Sequence, residues 1–147
     1  MIKIQEKKFD YAEESKKFSK KNISSGSISS FLGKVRKESP NGVIESIEIE
    51  HYKKMTKKEI KVIIDYVKNK WKIDDFLIIH RFGKIFVAEN IVLILIASKH
   101  RKDSLESLEY VIDWLKVKAT FWKKEITEKG EFWVDQKKSD IEKIKKF

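Results

Sequence analysis

The chain has 147 residues, no cysteine and a formal charge of +10, from 33 basic and 23 acidic residues. This length suits one domain with its own core, and the lack of thiols excludes disulfides, thiolate metal sites and a cysteine nucleophile. No basic start runs into an apolar segment as in a signal peptide, and the longest apolar run, IVLILIA, falls far short of the ~20 residues that cross a bilayer, so a reducing cytoplasm is the expected compartment.

The chain opens with IKIQEKKF, which reads as a short strand. DYAEESKKFSKK then reads as a helix with Asp10 as its N-cap. GSISSFLGKVRKESPNGV begins as a strand and ends in turn residues at Pro40-Asn41-Gly42, so RKESPNG, starting at Arg36, reads as a mobile loop. VIESIEIEHY alternates, with Ile47, Ile49 and His51 on one face and Glu48, Glu50 and Tyr52 on the other, as a half-buried strand does. In TKKEIKVIIDYVKNKW, Thr56 and Glu59 form a capping-box pattern. Ile60, Ile63, Ile64, Val67 and Trp71 then make one apolar helical stripe. FLIIHRFGKIFV and NIVLILIA are apolar on both faces and read as central strands covered by helices, with Gly83 marking a kink or turn.

A second strong helix starts near Lys102. It sets Leu105, Leu108, Ile112, Leu115 and Ala119 on one side, with Lys116 at the margin. Tyr110, Trp114 and Val117 on the opposite side are too apolar for plain solvent and read as an oligomer contact. FWKKEITEKGEFWVD reads as a hairpin around Lys129-Gly130. Residues 1–136 are then a single domain, and the basic tail 137–147 is either disordered or a short helix docked by Ile141, Ile144 and Phe147. The order of βαβ, strands, helix and hairpin is that of an α+β domain.

Of the 33 basic residues, 30 are lysine and three are arginine: Arg36, Arg81 and Arg101. Where lysine is the generic surface cation, a retained arginine marks a place that needs a planar, two-pronged donor for phosphate or carboxylate, or a buried ion pair. Two of the three follow histidines, at His80-Arg81 and His100-Arg101. His100 and Arg101 fall where a buried strand gives way to a helix, whose first N–H groups and positive dipole end attract anions. Lys116 borders the buried face of that helix, and Lys123 follows two aromatics in FWKK. Such lysines serve as acid, base or nucleophile when desolvated, or simply snorkel to solvent. His51, His80 and His100 lack metal-ligand spacing, and neither a phosphate-cradling glycine loop nor a nucleophile elbow is present, so no metal is expected.

FLGKVR, IEHYKKM, IIHRFGKI, ASKHRKDSLESLEYVIDWLK, FWKKEI and GEFWV together resemble, in order and spacing from about Ser24 to Val134, the large, catalytic subunit of molybdopterin synthase, the MoaE family. The resemblance implies an α/β hammerhead-type fold, with a mixed or antiparallel sheet packed by helices and a C-terminal hairpin. It implies a homodimer within a heterotetramer, whose partner is a small ubiquitin-like sulfur-carrier subunit with a C-terminal Gly-Gly thiocarboxylate. That tail delivers sulfur to cyclic pyranopterin monophosphate, in two transfers that make the dithiolene of molybdopterin, so the enzyme needs neither a cysteine nor a cofactor. By matching position, Lys116 and Lys123 are implied as catalytic, and Phe31, Arg36, His100, Arg101 and the tail's Lys137 as substrate-binding. His80 and Arg81 fit a structural role at a strand end. The hairpin is the expected carrier groove, because an extended tail pairs with strand edges.

The chain departs from the family pattern at Thr120, where proline is usual, at Ala88, where glycine is common, and at Ile112, a pocket position that holds methionine in relatives. Two other classes remain open: a basic nucleic-acid-binding α+β module, suggested by the charge and the exposed aromatics, and a non-catalytic scaffold, against which the intact lysine and arginine set argues.

Overall fold

The computed structural model describes residues 1–117 and 121–134. Two sheets share the chain. The first has the order β1-β5-β7-β2, formed by β1 (Ile2–Gln5), β5 (Ile73–Arg81), β7 (Asn90–Ser98) and β2 (Ser27–Lys34). The second holds β3 (Glu38–Ser39), β4 (Gly42–His51), β8 (Phe121–Thr127) and β9 (Gly130–Val134) in that order, with β6 (Gly83–Phe86) paired to β4. Among the described residues, three helices complete the α+β fold: α1 (Tyr11–Lys21), α2 (Lys53–Lys70) and α3 (Arg101–Val117).

β5 and β7 are the central strands of the first sheet, which explains why both are apolar on each face. Leu77, Ile79, Leu93, Leu95 and Ala97 turn toward Phe18 of α1. Ile78, Ile94 and Ile96 turn the other way, into a core with Ile60, Ile63, Ile64 and Val67 of α2 and Leu108, Val111 and Leu115 of α3. A strand covered on both sides has no polar face to keep. β5 is parallel to β1 and antiparallel to β7. Gly83, at φ 82°, is where the chain leaves the first sheet and enters the second as β6. A third core of Val35, Ile44, Ile47, Ile49 and Ile85 sits behind the second sheet.

Three local expectations are corrected. The loop from Arg36 is a tight hairpin: Ser39 pairs with Gly42, whose φ is 123°. It is tied to β8 by Ser39 Oγ and Asn41 Nδ2, which donate to the buried Glu125 Oε1 over 2.7 and 3.0 Å. α2 begins at Lys53 rather than at a Thr56 cap, and Tyr52 at its N-cap makes no side-chain cap bond. Thr56 lies four residues before Ile60, on the buried stripe, and is fully buried, so packing outweighs its capping preference there. On α3, Leu105 is 55% exposed, whereas Tyr110 is buried. Tyr110 stacks on Tyr66 of α2 at 4.8 Å and packs against Trp71, and Trp114 joins the same core. Tyr110, on the aromatic side of α3, is thus covered by α2 within the chain. Ala119, Thr120 and the tail lie outside the described residues. None of the described helices is long and apolar enough to cross a membrane.

Candidate active site

A cavity of about 480 Å³ opens where the two sheets meet the last turns of α3. Strand alternation sets its floor. On β8, Phe121 and Lys123 line the cavity, while Trp122 and Lys124 take the outer face. Lys124 is held there by Glu48 at 3.3 Å and Glu131 at 3.4 Å. Of the two adjacent lysines in FWKK, only Lys123 therefore reaches the cavity. It lies opposite Ile49 on one side and Val134 on the other, both of which also line it.

Lys116 enters from α3, one helical turn beyond Ile112, and both line the cavity. Its exposure matches a side chain at the edge of an apolar stripe. Phe31 and Lys34 come from β2, the edge strand of the first sheet. Gly33 lies between them, where a Cβ would fall 2.7 Å from Val92 Cγ1, so glycine keeps this wall flush. Among the described lining residues, three are lysines, none is acidic and most are apolar. A cavity lined by cations and no acid attracts an anion.

His80 also lines the cavity, from β5. Its ring stacks on Phe121 at 3.8 Å with planes 13° apart. Its Nδ1 lies 2.8 Å from the Arg81 carbonyl oxygen. Burial pushes its pKa down to about 4, an effect that the Arg81 carbonyl opposes and nearby His51 assists. Arg81 turns away. It is 4% exposed, donates to the Glu6 and Asn90 carbonyls at 3.1 Å each, and sits 3.9 Å from Glu89. A structural role thus suits Arg81, whereas His80 borders the cavity. The signal for His80 was in the sequence: a polar side chain two residues after Ile78, on the inward face of a strand otherwise apolar there.

Phe31, Lys116 and Lys123 meet in this cavity; Arg36, His100 and Arg101 do not line it. Arg36 is exposed, two residues past Lys34. His100 and Arg101 are exposed at the opposite end of α3 from Lys116. Fifteen residues at ~1.5 Å each put about 22 Å between Arg101 and Lys116. The His100-Arg101 junction is nonetheless firmly built. Ser98 Oγ donates to the His100 carbonyl at 2.6 Å. Ser104 Oγ donates to the Arg101 carbonyl at 3.2 Å and bonds Ser27 and Ser29, at 2.8 Å each. With Lys99 and Lys102 also exposed, this helix start presents a cluster of cationic side chains to solvent. Lys137 lies outside the described residues.

The MoaE protein family model matches residues 4–118. The molybdopterin synthase catalytic subunit of Ralstonia nicotianae is 37% identical over 139 residues, covering 95% of this chain and 79% of its own length. The crystal structure of molybdopterin synthase from Staphylococcus aureus superposes with a TM-score of 0.82 at 32% identity, covering 90% of this chain and 96% of that one. The fold is shared with a chain in the protein–protein complex of subunits 1 and 2 of molybdopterin-converting factor from Helicobacter pylori, at a TM-score of 0.78, 21% identity and coverage of 92% and 91%.

Proposed function

The chain belongs to the MoaE protein family, and from that premise we infer that it is the catalytic subunit of a molybdopterin synthase, an enzyme of molybdenum cofactor biosynthesis. The observation that carries the assignment of the site is the cavity that Lys116 and Lys123 enter from different elements, with Phe31 on its wall. The substrate is cyclic pyranopterin monophosphate. The sulfur comes from the C-terminal thiocarboxylate of a small ubiquitin-like carrier subunit. The thiocarboxylate sulfur forms a C–S bond at a substrate carbon as a C–O bond there breaks, and cationic Lys116 and Lys123 stabilise the negative charge that develops on the departing oxygen. Water then attacks the carrier's acyl carbon and the acyl C–S bond breaks, which leaves the carrier with a carboxylate and the substrate with the sulfur. The carrier tail reaches the cavity along β9, the last strand of its sheet, whose edge suits pairing with an extended peptide.

Arg36, His100, Arg101 and Lys137 complete the substrate-binding set as anion ligands. One helix cannot bring both of its ends to one small molecule, so His100 and Arg101 serve the cavity of a second copy, within a homodimer. A nucleic-acid-binding reading finds no support: exposed Trp122 and Trp133 lie on the sheet face where Glu48 and Glu131 already pair with Lys124.

Reconstitution with thiocarboxylated carrier and cyclic pyranopterin monophosphate tests the reading. Lys116→Ala and Lys123→Ala are each expected to cost about 10²–10³ in rate with the fold intact; full activity in both would sink the lysine assignment. Assayed at substrate concentrations where each alone is impaired, a mixture of Lys116→Ala and Arg101→Ala chains is expected to recover part of the activity, because a mixed dimer holds one complete site. No recovery would remove the shared-site arrangement. Deleting the carrier's last two residues is expected to weaken its binding.

A further inference from the structure

The proposed chemistry uses lysines and the exposed His100-Arg101 pair, and it leaves His80 without a task. His80 is 9% exposed and lines the cavity. Its Nδ1 faces a carbonyl oxygen, which can only accept, so Nδ1 carries the proton and donates. In the neutral ring the lone pair on Nε2 is then the acceptor. Phe121 stacks on the ring and fixes its plane. Burial keeps the ring neutral near pH 7. The other polar side chains lining the cavity, Lys34, Lys116 and Lys123, donate only when charged. His80 is thus the one side-chain acceptor among the described lining residues. A ligand that is merely anionic gains nothing from it. A ligand with an N–H gains a bond, and one without leaves a buried acceptor unpaired, which is how a site discriminates strongly.

We propose that His80 is a substrate-binding residue whose Nε2 accepts a hydrogen bond from a ring N–H or amino group of a flat heterocyclic ligand held in the cavity. This rests on the reading of the cavity as the substrate site and deepens it: His80 reads the heterocycle, and the cations read its phosphate.

Two substitutions separate the ring nitrogens. His80→Asn sets an amide nitrogen near the place of Nδ1, so the bond to the Arg81 carbonyl survives and the Nε2 acceptor is lost. His80→Gln reaches further, sets an amide oxygen near the place of Nε2 and loses the Nδ1 donor. With the full chain, thiocarboxylated carrier and cyclic pyranopterin monophosphate, His80→Asn is expected to raise KM about 10–100-fold at nearly native Tm. His80→Gln is expected to keep KM within about threefold while Tm falls. A purely structural histidine gives the reverse order, with Asn tolerated and Gln impaired, and that result overturns the proposal. Unchanged KM in both variants overturns it too. A wild-type chain that forms no product defeats the functional reading and this inference with it, whereas normal wild-type turnover with native KM in His80→Asn defeats the His80 role alone. If neither variant folds, ¹⁵N-histidine-labelled wild-type chain gives the answer. The pyridine-type Nε2 resonance of His80 is expected to shift on saturation with cyclic pyranopterin monophosphate, and a static resonance overturns the proposal.

Discussion

His80-Arg81 and His100-Arg101 are the same dipeptide at or just past the C-terminal ends of β5 and β7, neighbouring strands of one sheet. Because β5 and β7 run antiparallel, those ends lie on opposite sides of the molecule: His80 pairs with Val92 near the start of β7, beside the cavity, whereas Ser98 pairs with Ile73 at the start of β5. The first pair is buried, its arginine spent on backbone carbonyls and its histidine held neutral. The second is exposed on a serine-braced helix start among lysines. Identical side chains take different roles because pairing direction and burial, not residue type, set their surroundings.

The contrast is open to test, from the largest expected effect to the smallest. Arg81→Ala leaves the Glu6 and Asn90 carbonyls without their donor and is expected to lose about 3–4 kcal/mol of stability in urea melts. A loss below about 1 kcal/mol would make Arg81 no different from its exposed counterpart.

His80 gives the buried pair a pH signature. Its pKa falls from 6.5 to about 4 on folding. Between those values the unfolded chain binds a proton that the folded chain does not. Stability therefore rises with pH across this window and is lost as pH drops from 6.5 to 4, by about 3 kcal/mol in all. His51, lowered by burial first and by Lys53 second, adds in the same direction. Comparing wild type with His80→Asn isolates the larger part; equal slopes would contradict a neutral buried ring.

Arg101→Ala is expected to behave the opposite way. Stability stays within about 0.5 kcal/mol, while KM for the phosphate-bearing substrate rises about 10–100-fold, as a lost charge-assisted hydrogen bond demands. The smallest effect concerns Ala88, which adopts φ 71° beside the Glu89 that faces Arg81. Ala88→Gly relieves a left-handed alanine and is expected to add up to about 1 kcal/mol, less the extra freedom glycine gains when unfolded.

Much of this was legible locally. Asp10 caps α1 as its position suggests, accepting from the Glu13 N–H at 3.0 Å. The doubly apolar runs became β5 and β7, and glycine 83 became the turn between sheets. Alternation alone left Lys123 and Lys124 equal, since each face of FWKK carries one aromatic and one lysine, and only the resemblance picked Lys123. The aromatic side of α3 could not be read from its period either. Tyr110 calls for a cover, yet no periodicity says that α2, some forty residues earlier, supplies it. Nor does an alternating pattern reveal that Ser39 and Asn41 would find a buried Glu125 and pin their turn.

The sequence by itself determined the main strands and helices, the apolar face of most of them and which few cations stand out, because these follow from side-chain period and backbone preference within a dozen residues. Tertiary structure alone decided where those faces meet. It opened a cavity to Lys116, Lys123 and His80, and it left Arg36 outside the lining although Lys34, two residues earlier, is part of it. Such placements depend on strand order and pairing direction, which join residues far apart in the chain and leave no period in the sequence between them.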